Sequence, residues 1–168
     1  FNLVKNYNFK AVYIEKDKKK FNDLKKTEGK YPNIFAINKS IDRNINSDGS
    51  LRKVLERTKI PLDFEVLSID IDSYDLDVWE TLEKYRPKIV VIEINSSIKP
   101  GIIQRHDENN QGNSFSATVN VGKIKGYVLV QHTGNCIFLR EDLINKINFD
   151  EDLLENPDKL FDKSWLNK

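Results

Sequence analysis

The run Phe64-Glu-Val-Leu-Ser-Ile-Asp-Ile-Asp72 constrains the fold more than any other stretch of the chain. Apolar side chains at Phe64, Val66, Leu67, Ile69 and Ile71 read as a strand buried on both faces, the mark of a parallel sheet. Asp70 and Asp72 lie two apart, so an unbroken strand turns both carboxylates to one side at its carboxyl end. In open α/β sheets that end is where ligands bind. Lys88-Ile-Val-Val-Ile-Glu-Ile94 repeats the pattern, wholly apolar and closed by Glu93 and Asn95.

Helical and extended patterns alternate around these two strands. Leu3, Val4 and Tyr7 suggest the last turns of a helix, and Lys10–Glu15 reads as a strand followed by Asp17. Asp17 is placed to cap a helix through Lys26 whose buried face is Phe21 and Leu24. Asn33–Lys39 is a second strand, and the polar stretch Ser40–Gly49 is a loop. Ser50 opens a helix carrying Leu51, Val54 and Leu55. Asp75 caps another, with Val78, Trp79, Leu82 and Tyr85 inward and Pro87 stopping it. Ser96–Ser114 is longer than a plain connector, and such loops are usually lids or binding loops. A helix from Ser116 to Lys125, with Gly126 as its C′ residue, leads into a hairpin of Tyr127–Gln131 and Cys136–Arg140. The expected architecture is therefore α/β: a mostly parallel sheet with helices on both faces and a C-terminal antiparallel hairpin. Residues 1–142 form that domain, and residues 143–168 a helical tail.

Charge excludes some functions. With 27 Lys and Arg against 26 Asp and Glu, the formal net charge is +1, which makes no electrostatic case for nucleic acid. The run Lys16-Asp-Lys-Lys-Lys20 reads as a solvated helix face. No apolar run reaches the ~20 residues of a membrane span. The lone Cys136 rules out an internal disulfide and suits a reducing, cytoplasmic setting.

The element order resembles the FkbM-like group of S-adenosylmethionine-dependent methyltransferases. It does so through Asn46-Ser-Asp-Gly-Ser-Leu51, Ile60–Asp72, Trp79, Pro87–Asn95 and Lys125-Gly-Tyr127. The resemblance covers roughly Phe1 to Leu143 and implies a Rossmann-like methyltransferase sheet that uses S-adenosylmethionine to methylate a sugar or other small hydroxyl-bearing acceptor. It places Glu15, with Asp17 and Asp70, on the cofactor. A carboxylate at the Glu15 position accepts two hydrogen bonds from a ribose diol. Asp70 and Asp72 would then end the strand beside which donor and acceptor meet, and Tyr74, Asn95, Ser114 and Thr133, with Ser96 and Ser116, would line the acceptor side.

Asp70, Asp72 and Asp75 repel one another unless a cation, a proton or a donor sits among them. One solution is a divalent ion, Mg²⁺ or Mn²⁺, on Asp72, Glu93 and Asn95. The other is a general base of raised pKa among the aspartates. His106 in the long loop and His132 at the hairpin turn are further candidate bases near neutral pH, against the plainer role of a solvated loop residue.

The sequence departs from the family pattern at two points. Ser73-Tyr74 stands where similar proteins carry Gly-Asn. No Gly-rich loop follows a strand anywhere in the 168 residues, and there is no methionine. The family's first strand and cofactor loop are thus expected upstream of Phe1, with that strand central between Lys10–Glu15 and Phe64–Asp72. Neighbouring strands stand ~4.8 Å apart, so its omission leaves unpaired backbone on both sides. The departures favour a second reading: a non-catalytic methyltransferase-fold component whose long loop and apolar tail contact a second copy or a larger assembly.

Overall fold

A computed structural model describes residues 1–167 and divides the chain into two compact units, Phe1–Ile60 and Pro61–Lys168. The protein is α/β with two sheets. Among the described residues, no helix is long and apolar enough to cross a membrane.

In the first unit α1 (Asn2–Tyr7) leads to β1 (Ala11–Glu15), α2 (Lys18–Glu28), β2 (Ile34–Asn38) and α3 (Leu51–Glu56). β1 and β2 pair in parallel, from Ala11 opposite Ile34 to Glu15 opposite Asn38. The Asp17 carboxylate accepts from Lys20 N–H at 2.8 Å, so α2 starts where an N-cap side chain satisfies one of its free amides. Glu28 at the far end of α2 accepts from Ala36 N–H at 2.9 Å and ties helix to strand.

In the second unit β3 (Val66–Ile69), α4 (Asp75–Glu80), β4 (Ile89–Glu93), α5 (Phe115–Ile124), β5 (Tyr127–His132) and β6 (Asn135–Arg140) precede short helical turns and α6 (Glu151–Glu155). The strand order is β3-β4-β6-β5, with β3 parallel to β4 and the hairpin antiparallel beside it. Register explains the core. Leu67, Val90, Phe138 and Leu129 line up across the strands, and Ile69, Ile92, Cys136 and His132 form the next row; all eight are buried. Trp79 of α4 lies 5.0 Å from the Phe138 ring and 5.6 Å from Tyr127. Burying a side chain such as Phe138 or Leu76 contributes about 1.5–3 kcal/mol.

The central strand is shorter than its apolar pattern suggests. β3 stops at Ile69, Ser68 is exposed, and the strand is not buried on both faces. The cause is Asp75, which is buried and points backward: its carboxylate accepts from Ile71 N–H at 2.8 Å and from Ser73 N–H at 3.0 Å. Those donors are taken by a side chain, so residues 70–73 curl instead of extending a ladder. Asp72 completes the turn in the left-handed region at φ 61°, which aspartate tolerates better than most residues. α5 begins one residue before the expected Ser116, and Gly126 follows it at φ 75°.

Candidate functional site

The turn at 70–73 and the end of β4 open on a cleft of about 310 Å³. Asp72, Ser73, Asp75 and Glu93 line one side, and Asn95 with Gln111, Gly112 and Asn113 line the other. Carboxylate oxygens of Asp70, Asp72 and Glu93 all lie within 4.8 Å of one another. The expectation that the acids gather at the strand ends therefore holds for these three. The turn brings them together, since the strand alternation that would have done so ends at Ile69.

Electrostatics single out Glu93. Loss of solvent at the strand end raises its pKa to about 7, reinforced by the charges of Asp70, Asp75 and Asp72 and by a hydrogen bond with Asp70. A proton on Glu93, donated toward Asp70, relieves the repulsion without any cation. Asp75 behaves differently. Burial raises its pKa, while the Ile71 and Ser73 amides hold it down. Its carboxylate is spent on shaping the turn.

The far wall is a tied-down loop. Gly112 approaches Asn95 so closely that an added Cβ would lie 3.0 Å from the Asn95 Cβ, and its φ of 75° suits glycine. Asn95 Nδ2 donates to Gln111 O at 2.9 Å, and Asn95 Oδ1 accepts from the Ser97 hydroxyl at 2.6 Å and Ser97 N–H at 3.2 Å. The amide oxygen expected on a metal is thus occupied inside its own turn. Arg105 pairs with Asp77 at 3.1 Å and Glu80 at 2.6 Å, which pins the loop to α4.

The remaining candidates fall into place around the loop. His106 Nδ1 accepts from Gly112 N–H at 3.1 Å, so the basic nitrogen of the neutral ring is engaged within the loop. Its ring meets Tyr74 edge-on at 4.6 Å. The Ser114 hydroxyl caps α5 through Ala117 N–H, accepts from Gln104 N–H and donates to Ile102 O at 2.7 Å, which uses its bonding capacity. Ser116 accepts from Gly101 N–H at 2.7 Å. Thr133 sits exposed in the hairpin turn, its N–H on Asn135 O at 3.0 Å.

His132 and Ser96 are both buried, with Ser96 Oγ 2.9 Å from His132 Nε2. They do not form a nucleophile and its base. Asp162 N–H donates to His132 Nδ1 at 3.0 Å, so Nε2 carries the ring proton and donates to Ser96, whose hydroxyl donates on to Gly134 O at 2.7 Å.

In the first unit, Glu15 ends β1 as expected. Its Oε1 accepts from Asp17 N–H at 2.7 Å and its second oxygen lies outside that bond. The Asp17 carboxylate is committed to capping α2. Gln111 and Asn113 line the cleft unforeseen, because loop amides lying 18 and 20 residues beyond the end of β4 carry no periodic signal. No family model, curated protein or solved structure matches the chain.

Proposed function

We propose that this chain is an S-adenosylmethionine-dependent methyltransferase, FkbM-like in its Rossmann-like sheet, that methylates a hydroxyl of a sugar or another small polar acceptor. The observation that carries the reading is Glu93 paired with Asp70 at the carboxyl ends of neighbouring parallel strands, titrating near 7 in a cleft walled by amides. Bound S-adenosylmethionine would supply the electrophilic methyl group. The chain's own task is then to orient a hydroxyl and take its proton, and a carboxyl of pKa about 7 suits that role at neutral pH. Gln111, exposed at the cleft, offers its amide group to the acceptor's other hydroxyls, whereas Asn113 is buried with its Oδ1 accepting from His106 N–H at 3.0 Å. Glu15 at the end of β1 fits a ribose diol through its second carboxylate oxygen.

One feature of the sheets supports the fold assignment: β1–β2 and β3–β4 are both parallel pairs, with Glu15 at the end of β1 and Glu93 at the end of β4. A proton on Glu93 and a divalent ion such as Mg²⁺ or Mn²⁺ among Asp70, Asp72 and Glu93 are alternative ways to relieve the repulsion, and activity that persists in chelator would remove the ion.

Thermal unfolding of the intact protein with S-adenosylhomocysteine tests the reading. A ligand at 100 times its dissociation constant stabilises by ~2.7 kcal/mol. A shift in the wild type that is lost in Glu15→Ala supports methyl transfer. No shift favours the non-catalytic, assembly reading, in which the tail and long loop serve contacts with a second copy.

A further inference from the structure

The tail folds back on its own unit through an aromatic and hydrogen-bonded anchor. Phe161 is buried and stacks on the His132 ring at 4.7 Å with an interplanar angle of 11°. Phe115 meets both rings edge-on, at 5.6 Å and 5.1 Å. The Asp162 amide, next along the tail, donates to His132 Nδ1 at 3.0 Å. A second contact lies at Gly134, which has φ 91°; a Cβ there would lie 2.6 Å from the Trp165 ring. Ser96 and Gly134 complete a chain in which each donor meets one acceptor.

We propose that residues 157–167 form a strap clasped to the β5–β6 hairpin by neutral His132, and that protonation of this imidazole opens the clasp. The inference goes beyond methyl transfer and does not depend on it. A proton on Nδ1 sets a ring N–H against the Asp162 N–H, so an acceptor becomes a second donor at hydrogen-bond distance.

The groups facing the ring decide the direction. The loop after β4 contributes Ser96 and α5 contributes Phe115, both uncharged. β6 contributes Cys136, a neutral thiol pushed up by burial. The strap contributes Phe161 and the Asp162 carboxylate, which favours the charged ring but does not outweigh burial, and the His132 pKa is lowered. A histidine with its folded pKa below the free value of about 6.5 stabilises the clasp fully above that pH, and the contribution is lost as pH falls through the folded pKa.

Residue-resolved hydrogen exchange on the whole protein at about pH 7.5 and about pH 5, corrected for intrinsic rates, tests the strap. Amides of Phe161 and Asp162 should lose at least about tenfold in protection at the lower pH while Val90 and Phe138 keep theirs. His132→Phe, which retains a ring but no acceptor, should exchange fast in the strap at both pH values. Gly134→Ala should open the strap at about pH 7.5 by displacing Trp165, and gives an independent variant should His132→Phe fail to fold. Strap protection that survives at about pH 5, or that falls together with Val90 and Phe138, overturns the proposal.

Discussion

Glu93 shares a hydrogen bond with Asp70 across the carboxyl ends of adjacent strands, and this contact lets a half-buried acid sit among three other carboxylates. The bond needs a proton. Loss of solvent around Glu93, together with the fields of Asp70, Asp75 and Asp72, raises its pKa to about 7, so near neutral pH the carboxyl exchanges between the protonated, paired form and the free base.

The raised pKa implies a pH-dependent stability. A carboxyl whose folded pKa exceeds its unfolded value, about 4.3, stabilises the fold below that pH and loses the contribution as pH climbs to about 7. Glu93→Gln mimics the protonated acid and cannot ionise. Its Tm should match the wild type near pH 4.3 and exceed it by about 2–4 °C at about pH 8, roughly 1 kcal/mol once partial solvent screening is allowed for. Thermal melts across that range check it. Equal melting at about pH 8 would contradict the account.

Asp75 should matter through shape. Asp75→Asn leaves one carbonyl oxygen for two backbone donors, so the Ile71 or the Ser73 amide loses its partner in a buried site. A loss of about 1–3 kcal/mol is expected in chemical denaturation. The Glu93 titration should also shift, since the 70–73 turn sets the acid spacing.

Helix α5 crosses the sheet at Gly122, where an added Cβ would lie 2.5 Å from Phe138 Cε1 and 2.9 Å from Cδ1. The ring is fully buried and cannot move aside. Gly122→Ala should cost about 1–3 kcal/mol, and Phe138→Leu in the same chain should recover part of it.

Periodicity and turn chemistry made much of the fold legible. The hairpin, the parallel pairs and the Asp17 cap follow from local patterns that tertiary structure leaves intact. Local reading failed where a side chain bonded backward or over a distance. Asp75 looks like a forward helix cap, yet it ends β3 three residues before Asp72 by claiming the Ile71 and Ser73 amides. Ser114 and Asn95 have the chemistry of binding residues, but their polar atoms are used within the loop. The His132 network joins residues 36 and 30 positions apart, separations at which a lone histidine carries no pattern.

The Glu93 side-chain carboxyl can be titrated directly by carbon-13 NMR in the intact protein. The account predicts a midpoint near 7, falling toward the ordinary range in Asp70→Asn, where the amide at position 70 carries no charge. A wild-type midpoint near 4.3 would contradict it, and would remove the proton acceptor on which the methyl-transfer reading rests.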